Sequence, residues 1–315
     1  MQSVVNIVLP VFAIILSGYL AGFFKLLGEE SGDVLQRFVF YVAMPVLLFY
    51  AMAKVEPSEM LNWSYLAAYL GGQVITFMLT MLVAKHLYKR RLAEVALCSM
   101  ASIYGNTGYM GIPLILAAVG TDWAVPAIIA TAVNAAIVVG VTAAIVEIDM
   151  SINDGFWGIF KNVSRALVIN PLLIAPVFGF LWSLTGLGIA DPIETFSKTL
   201  GAAAGPCALF SIGLFLVGKT FRRGYLEVNS IVFLKLVIHP MITWVLAFHV
   251  LGLNDLWGII CVIMAALPTG ANIFILARRY QLFLDSTSTI IIISTVVSVL
   301  TLSILFSYWS DYMVT

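Results

Sequence analysis

Tyr104-Gly105-Asn106-Thr107-Gly108-Tyr109-Met110-Gly111-Ile112-Pro113 sits in the middle of a long apolar run, Val95–Val119. Three glycines and a proline in this stretch do not sustain an unbroken helix. The run is nevertheless long enough to cross a bilayer, for which about 20 apolar residues suffice. Loosened backbone at membrane depth is tolerated only inside protein or beside a water-filled cavity. A second run, Leu256–Ala277, carries a similar interruption, Leu267-Pro268-Thr269-Gly270-Ala271-Asn272. Asn106 and Asn272 are 166 residues apart, which makes them candidate repeat mates. Paired interrupted spans in corresponding positions of two halves are the best sequence pointer to a transport site.

The composition around these stretches has the same solvent in view. Of 315 residues, 62% are hydrophobic and only 10% are charged. A soluble chain of this length could not bury so much apolar surface in its core. Lys plus Arg and Asp plus Glu balance at 16 each, so net charge indicates no nucleic-acid partner. Cys98, Cys207 and Cys261 all lie in apolar runs and read as small packing residues, with no disulfide or metal site. The first apolar stretch lacks a basic leader region and reads as a span, not a cleavable signal.

Ten segments are long enough to span. They are Val4–Phe24, Val34–Ala53, Ser64–Leu87, Val95–Val119, Trp123–Ile148, Val163–Leu184, Ile193–Val217, Leu226–Leu251, Leu256–Ala277 and Leu282–Trp309. Alternating the loops between sides gathers 13 of the 16 Lys and Arg on one side. These include Lys25, Arg37, Lys85, Lys89, Arg90, Arg91, Lys161, Arg165, Lys219, Arg222, Arg223, Arg278 and Arg279. The positive-inside rule places that side in the cytoplasm and both termini outside.

The chain repeats itself. Pro10-Val11-Phe12 recurs as Pro176-Val177-Phe178, at an offset of 166. Pro45-x-x-Leu48-Phe49 recurs as Pro206-x-x-Leu209-Phe210, at an offset of 161. Five spans is an odd number, so the second copy enters from the opposite face. The expected fold is therefore an all-α membrane protein of ten transmembrane helices, built as two inverted five-helix repeats with broken, crossing helices 4 and 9. Residues 1–150 form the first repeat, 151–162 a cytoplasmic linker and 163–315 the second repeat. Such inverted repeats are a signature of secondary transporters.

Two broken helices that cross aim their N-termini, with unpaired N–H groups and positive partial charge, at one spot. Asparagine amides add donors and acceptors. The interruptions contain no Asp or Glu, which a sodium or proton antiporter of this layout uses to bind its cation. An anionic substrate fits better.

Gly105-Asn106-Thr107-Gly108-Tyr109-Met110-Gly111-Ile112-Pro113 and Pro268-Thr269-Gly270-Ala271-Asn272-Ile273-Phe274 resemble the two crossover motifs of the auxin efflux carrier family. That family includes plant auxin exporters and bacterial permeases for malonate and malate. Asn170-Pro171 and Lys235-x-x-x-x-Pro240 are similar to family features as well. The resemblance implies that asparagines beside the crossing helices contact the substrate carboxylate. The implied binding set is Gly105, Asn106, Thr107, Tyr109, Pro113, Pro268, Thr269, Gly270 and Asn272. Asn134 joins it, where plant members carry a Gln, or else bonds a neighbouring helix. The resemblance further implies a scaffold of helices 1, 2, 6 and 7. Helices 3–5 and 8–10 would form a transport domain moving as an elevator, and the carrier would be a homodimer. The long cytoplasmic loop of many plant members is missing, which favours a compact type from a bacterial inner membrane over an auxin carrier. No cofactor, metal or enzymatic activity is expected.

Other polar residues admit plainer readings. Lys235 could attract an anion, snorkel to the interface or form a structural pair. His239 reads as a packed residue. Ser294, Thr295 and Ser298 could line a cavity or bond their own helix. Gly213-Leu-Phe-Leu-Val-Gly218-Lys219-Thr220 matches a phosphate-binding loop, but it lies at an apolar span end with no strand before it. Asn62-Trp63-Ser64 is a glycosylation sequon, relevant only in a eukaryotic host. Three rival functions remain: a sodium-coupled symporter of the bile-acid type, an intramembrane enzyme and a non-transporting receptor. The enzyme lacks support, since neither H-E-x-x-H, Gly-x-Ser-Gly nor a pair of membrane aspartates is present.

Overall fold

The structure, a computed structural model, describes residues 9–54, 62–120, 123–150, 169–218 and 225–312. The expected linker, together with Lys161, Arg165, Lys219, Thr220, Arg222 and Arg223, lies outside the described residues. The helices are α1 (Leu9–Phe23), α2 (Glu30–Ala53), α3 (Trp63–His86), α4 (Leu92–Ile103), α5 (Thr107–Val119) and α6 (Ala124–Asp149). After these come α7 (Pro171–Ser183), α8 (Asp191–Leu216), α9 (Tyr225–Val250), α10 (Asp255–Ala266), α11 (Asn272–Tyr280) and α12 (Leu284–Tyr308). No β-strand occurs among the described residues. Six helices, α2, α3, α6, α8, α9 and α12, are long and apolar enough to cross a membrane unaided. The remaining shorter helices include the four halves of the two interrupted runs, α4 with α5 and α10 with α11.

Local chemistry starts several helices. The Asn62 side chain accepts from Tyr65 N at 2.9 Å, Asn170 from Leu172 N at 3.0 Å and Asn254 from Trp257 N at 3.1 Å. Each satisfies one N–H that a helix start leaves without an intrahelical partner. Asn62 of the sequon is thus the cap of α3. Leu16, Met78, Val177, Phe233 and Leu300 are exposed on helix flanks, a distribution that suits lipid as the solvent.

Packing is densest within two groups of helices, which meet where α8 contacts α5 and α2 contacts α6. α1 lies along α8, α2 lies along α7, and α2 also meets α8. Separately, α3 packs on α4, α9 and α10, while α4 packs on α6, and α12 on α9 and α11. The first group is drawn together by two glycine contacts. A Cβ on Gly18 would overlap the Phe210 carbonyl oxygen, and a Cβ on Gly179 would overlap the Phe49 carbonyl oxygen. One offset, 161, relates Gly18 to Gly179 and Phe49 to Phe210. The α1–α8 contact is therefore repeated by the α7–α2 contact with the partners exchanged. Gly213 also approaches the α1 backbone, at the Ile15 carbonyl and Tyr19 N. The opening glycine of the phosphate-loop pattern is thus a helix-packing residue.

Candidate functional site

The chain leaves helical form between α4 and α5, where Tyr104 has ψ 95 and Asn106 has ψ 59. It does so again after α10, where Leu267 has ψ 148. The two irregular segments run antiparallel and pair at Gly105 and Thr269. Asn106 N donates to Pro268 O at 2.8 Å, and Gly270 N donates to Tyr104 O at 3.0 Å. Each break thereby satisfies backbone groups that the other leaves open, as low-dielectric surroundings require. An offset of 164 relates Asn106 to Gly270 and Tyr104 to Pro268. Asn272 therefore lies two residues beyond the position that mates with Asn106. The reason is local: residues 104–106 separate α4 from α5, whereas the longer stretch 267–271 separates α10 from α11.

Side chains brace the crossing. Thr269 Oγ1 donates to Ala101 O at 2.9 Å, and Ser294 Oγ on α12 accepts from Thr269 N at 3.1 Å. Asn134, fully buried on α6, donates from Nδ2 to Gly105 O and Thr107 Oγ1, both at 3.3 Å. Its Oδ1 accepts from Gln73 Nε2 of α3 at 2.7 Å. Asn134 opens a widened π turn, a helical irregularity common at functional sites. Lys235 is fully buried, with Nζ donating to Ala265 O at 2.6 Å and 3.3 Å from His239 Nδ1. It does not snorkel, because the open carbonyl end of α10 lies within its reach.

A cavity of about 50 Å³ opens beside the crossing. Asn106, Thr107, Gly108 and Tyr109 line it from the start of α5, and Gly270, Ala271 and Asn272 from the start of α11. Tyr104 and Gly105 lie between them. Phe40 of α2, Thr131 and Ala135 of α6, and Asn170 with Leu172 of α7 complete the wall. None of these residues is Asp, Glu, Lys or Arg. Asn272 Nδ2 is 2.6 Å from Tyr104 OH. The Asn106 side chain has no hydrogen-bond partner among the described residues and is half-buried at the cavity. Two helix starts, of α5 and α11, thus carry positive partial charge to one small chamber lined by neutral donors.

Six residues expected from the sequence line the cavity: Gly105, Asn106, Thr107, Tyr109, Gly270 and Asn272. Asn134, Pro268 and Thr269 stand behind it as supports, and Pro113 packs toward Gly205 of α8. Phe40, Tyr104, Thr131, Asn170 and Leu172 are additional wall residues. Of these, Tyr104 stands in the interrupted stretch itself, and Asn170-Pro171 carried a visible signal, an asparagine cap before a proline-started helix. The Ser294 hydroxyl bonds its own helix at Ile291 O and also accepts from the crossing at Thr269 N, whereas the Thr295 and Ser298 hydroxyls donate to their own helix. Among the described residues no group of three or more His, Cys, Asp or Glu could hold a metal ion.

The sequence profile of the family described as "Membrane transport protein" matches residues 3–306. A Rhizobium meliloti protein named "Putative malonate transporter" is 28% identical over 304 residues, covering 96% of this chain and 95% of that protein. An "Uncharacterized transporter" of Methanothermobacter thermautotrophicus is 27% identical over 304 residues, covering 94% of this chain and 95% of that protein. "Auxin efflux carrier component 1" of Arabidopsis thaliana is 30% identical over 136 residues, covering 41% of this chain and 22% of that protein.

Proposed function

Because the chain belongs to the membrane transport protein family, we propose that it is a secondary carrier of small organic anions, binding a carboxylate at the crossing. The observation that carries this reading is the chamber itself. It joins the starts of α5 and α11, an Asn106 amide without a partner among the described residues, and a wall whose described residues carry no charge. Neutral oriented donors suit an anion that must also leave, since a buried cation would hold it too tightly to turn over. The name of the Rhizobium meliloti relative makes malonate the first substrate to try.

The ten-helix inverted repeat is part of the same proposal. α4 with α5, and α10 with α11, each count as one crossing segment. The exchanged Gly18–Phe210 and Gly179–Phe49 contacts support the repeat. α1, α2, α7 and α8 would be the scaffold, and the remaining helices would carry the crossing across the membrane as an elevator. Packing that is denser within each group than at the places where α8 meets α5 and α2 meets α6 supports that division.

The test is thermal stability of the purified protein with malonate, malate and acetate, each beside its uncharged amide. A ligand at 100 times its Kd stabilises by about 2.7 kcal/mol. Two helix starts and charge-assisted hydrogen bonds give a preference for the anion of roughly 100-fold. Equal stabilisation by acid and amide would falsify the anion site. Counterflow of the stabilising acid in ATP-free liposomes then separates a carrier from a receptor.

A further inference from the structure

The cavity has a wall that the crossing does not supply. Asn170 and Leu172 reach it from α7, and Phe40 reaches it from α2. Those two helices pack on each other. Of these three residues only Asn170 has a polar side chain. Its Oδ1 is already engaged, accepting from Leu172 N at 3.0 Å to cap α7. That bond fixes the amide in one orientation and leaves Nδ2, the donor end, without a partner among the described residues. An amide held by its oxygen and idle at its nitrogen, on a cavity wall, is a preorganised donor.

We infer that Asn170 is a substrate-positioning residue, donating from Nδ2 to the anion bound at the crossing while its Oδ1 caps α7. The inference rests on the carrier reading above. It adds a functional consequence. The donors of α5 and α11 travel with the crossing, whereas Asn170 stays with the α2–α7 pair. The bound anion therefore touches both groups of helices in this conformation and loses Asn170 when the crossing moves. Asn170 would thus make affinity different on the two membrane faces and help release the substrate after movement.

The capping role makes the test separable. Asn170→Asp and Asn170→Ser both keep an oxygen that can cap α7, and both remove the amide donor. Asp also sets a negative charge against the anion. The probe is malonate, with acetate beside it, measured by thermal shift on the full chain and by transport from each face of oriented vesicles. Expected results are parental melting without ligand and malonate binding weakened about 10- to 100-fold, the range of one hydrogen bond to a charged group. The Asp variant should be the weaker binder, and the affinity difference between the two faces should shrink in both.

A second variant does not depend on ligand identity. Asn106→Cys with Asn170→Cys, with Cys98, Cys207 and Cys261 replaced by Ala, should be joined by a short bifunctional thiol reagent. Parental malonate affinity in both Asn170 variants, alongside weakened binding in Asn106→Ala, would overturn this inference and leave the carrier reading intact. Failure of the thiol pair to react in the membrane would also overturn it. If neither acid stabilises the parent or undergoes counterflow, the carboxylate reading falls and this inference falls with it.

Discussion

The molecule contains two kinds of helix crossing, and they solve opposite problems. At α1–α8 and α2–α7 the helices meet through glycine against a backbone carbonyl, at Gly18–Phe210 and Gly179–Phe49. There the turns at the contact stay α-helical, and close approach supplies the attraction that lipid, itself apolar, cannot provide. Where α4–α5 meets α10–α11 the helices are broken, and hydrogen bonds of the Asn106–Pro268 and Gly270–Tyr104 kind replace the lost turns. The first kind of contact leaves no polar group open. The second leaves an asparagine amide and two helix starts facing a chamber.

The largest expected effect breaks a tight crossing. Gly18→Val places methyl groups where the Phe210 carbonyl already stands, and a backbone atom cannot rotate away. Overpacking costs about 1–3 kcal/mol in general and more where backbone must shift. We expect a steep fall in monodisperse protein on size-exclusion chromatography and in melting temperature. Gly179→Val should cost about as much, because its contact is the exchanged copy. A large difference between the two would break the symmetry on which the inverted repeat rests.

Asn106→Ala comes next and touches the loose crossing alone. Its amide makes no hydrogen bond among the described residues, so melting should stay near the parent. Anion binding should weaken by about 1.5–3 kcal/mol, the range for a hydrogen bond to a charged group. Asn272→Ala should weaken binding less, since that amide already spends itself on Tyr104 OH. Unchanged affinity in both variants would move the site away from the crossing. A third substitution, Gln73→Leu, strips the donor from buried Asn134 Oδ1 and should cost about 1–3 kcal/mol of stability. Because Asn134 holds Gly105 O and Thr107 Oγ1, affinity should fall a few-fold with it. A stability loss with unaltered binding would show that the brace serves the fold only.

These crossings were unequally legible in the sequence. The interruptions could be read because glycine and proline act on their own neighbourhood, so Tyr104–Pro113 and Leu267–Asn272 betray a break without any partner. The long spans were legible for the same reason, since apolar length is a local property. α3 was expected at Ser64–Leu87 and is Trp63–His86. Phe40 was not legible at all as a site residue, and Asn170 only as a helix cap and family feature, because what they line depends on helices far away in sequence. The Gly18–Phe210 contact is hidden likewise, since a lone glycine in an apolar span looks like any other. Lys235 was ambiguous for a physical reason. A long amine within a span can reach water or a carbonyl, and only the position of Ala265 O decides.

The smallest expected effect concerns how the open helix ends at the crossing are closed. α4 and α10 both stop there, and a helix end leaves its last carbonyls without intrahelical donors. Ala101 O receives the Thr269 hydroxyl at 2.9 Å, and Ala265 O receives Lys235 Nζ at 2.6 Å. The crossing offset of 164 also relates Ala101 to Ala265, so mated carbonyls are closed by unlike groups. Thr269→Val keeps the shape and removes the hydroxyl, which should cost about 1 kcal/mol of stability, the usual worth of such a bond. Thr269→Ser should restore it. Thr269 does not line the cavity, so malonate affinity should hold within about two-fold in both variants, a difference far below the 1.4 kcal/mol that makes ten-fold. Lys235→Met removes the other closure and should cost more, because it leaves the Ala265 carbonyl bare and also removes the contact with His239 Nδ1. A ten-fold loss of malonate affinity in Thr269→Val, with melting unchanged, would return Thr269 from the frame of the crossing to the substrate, as its motif first implied.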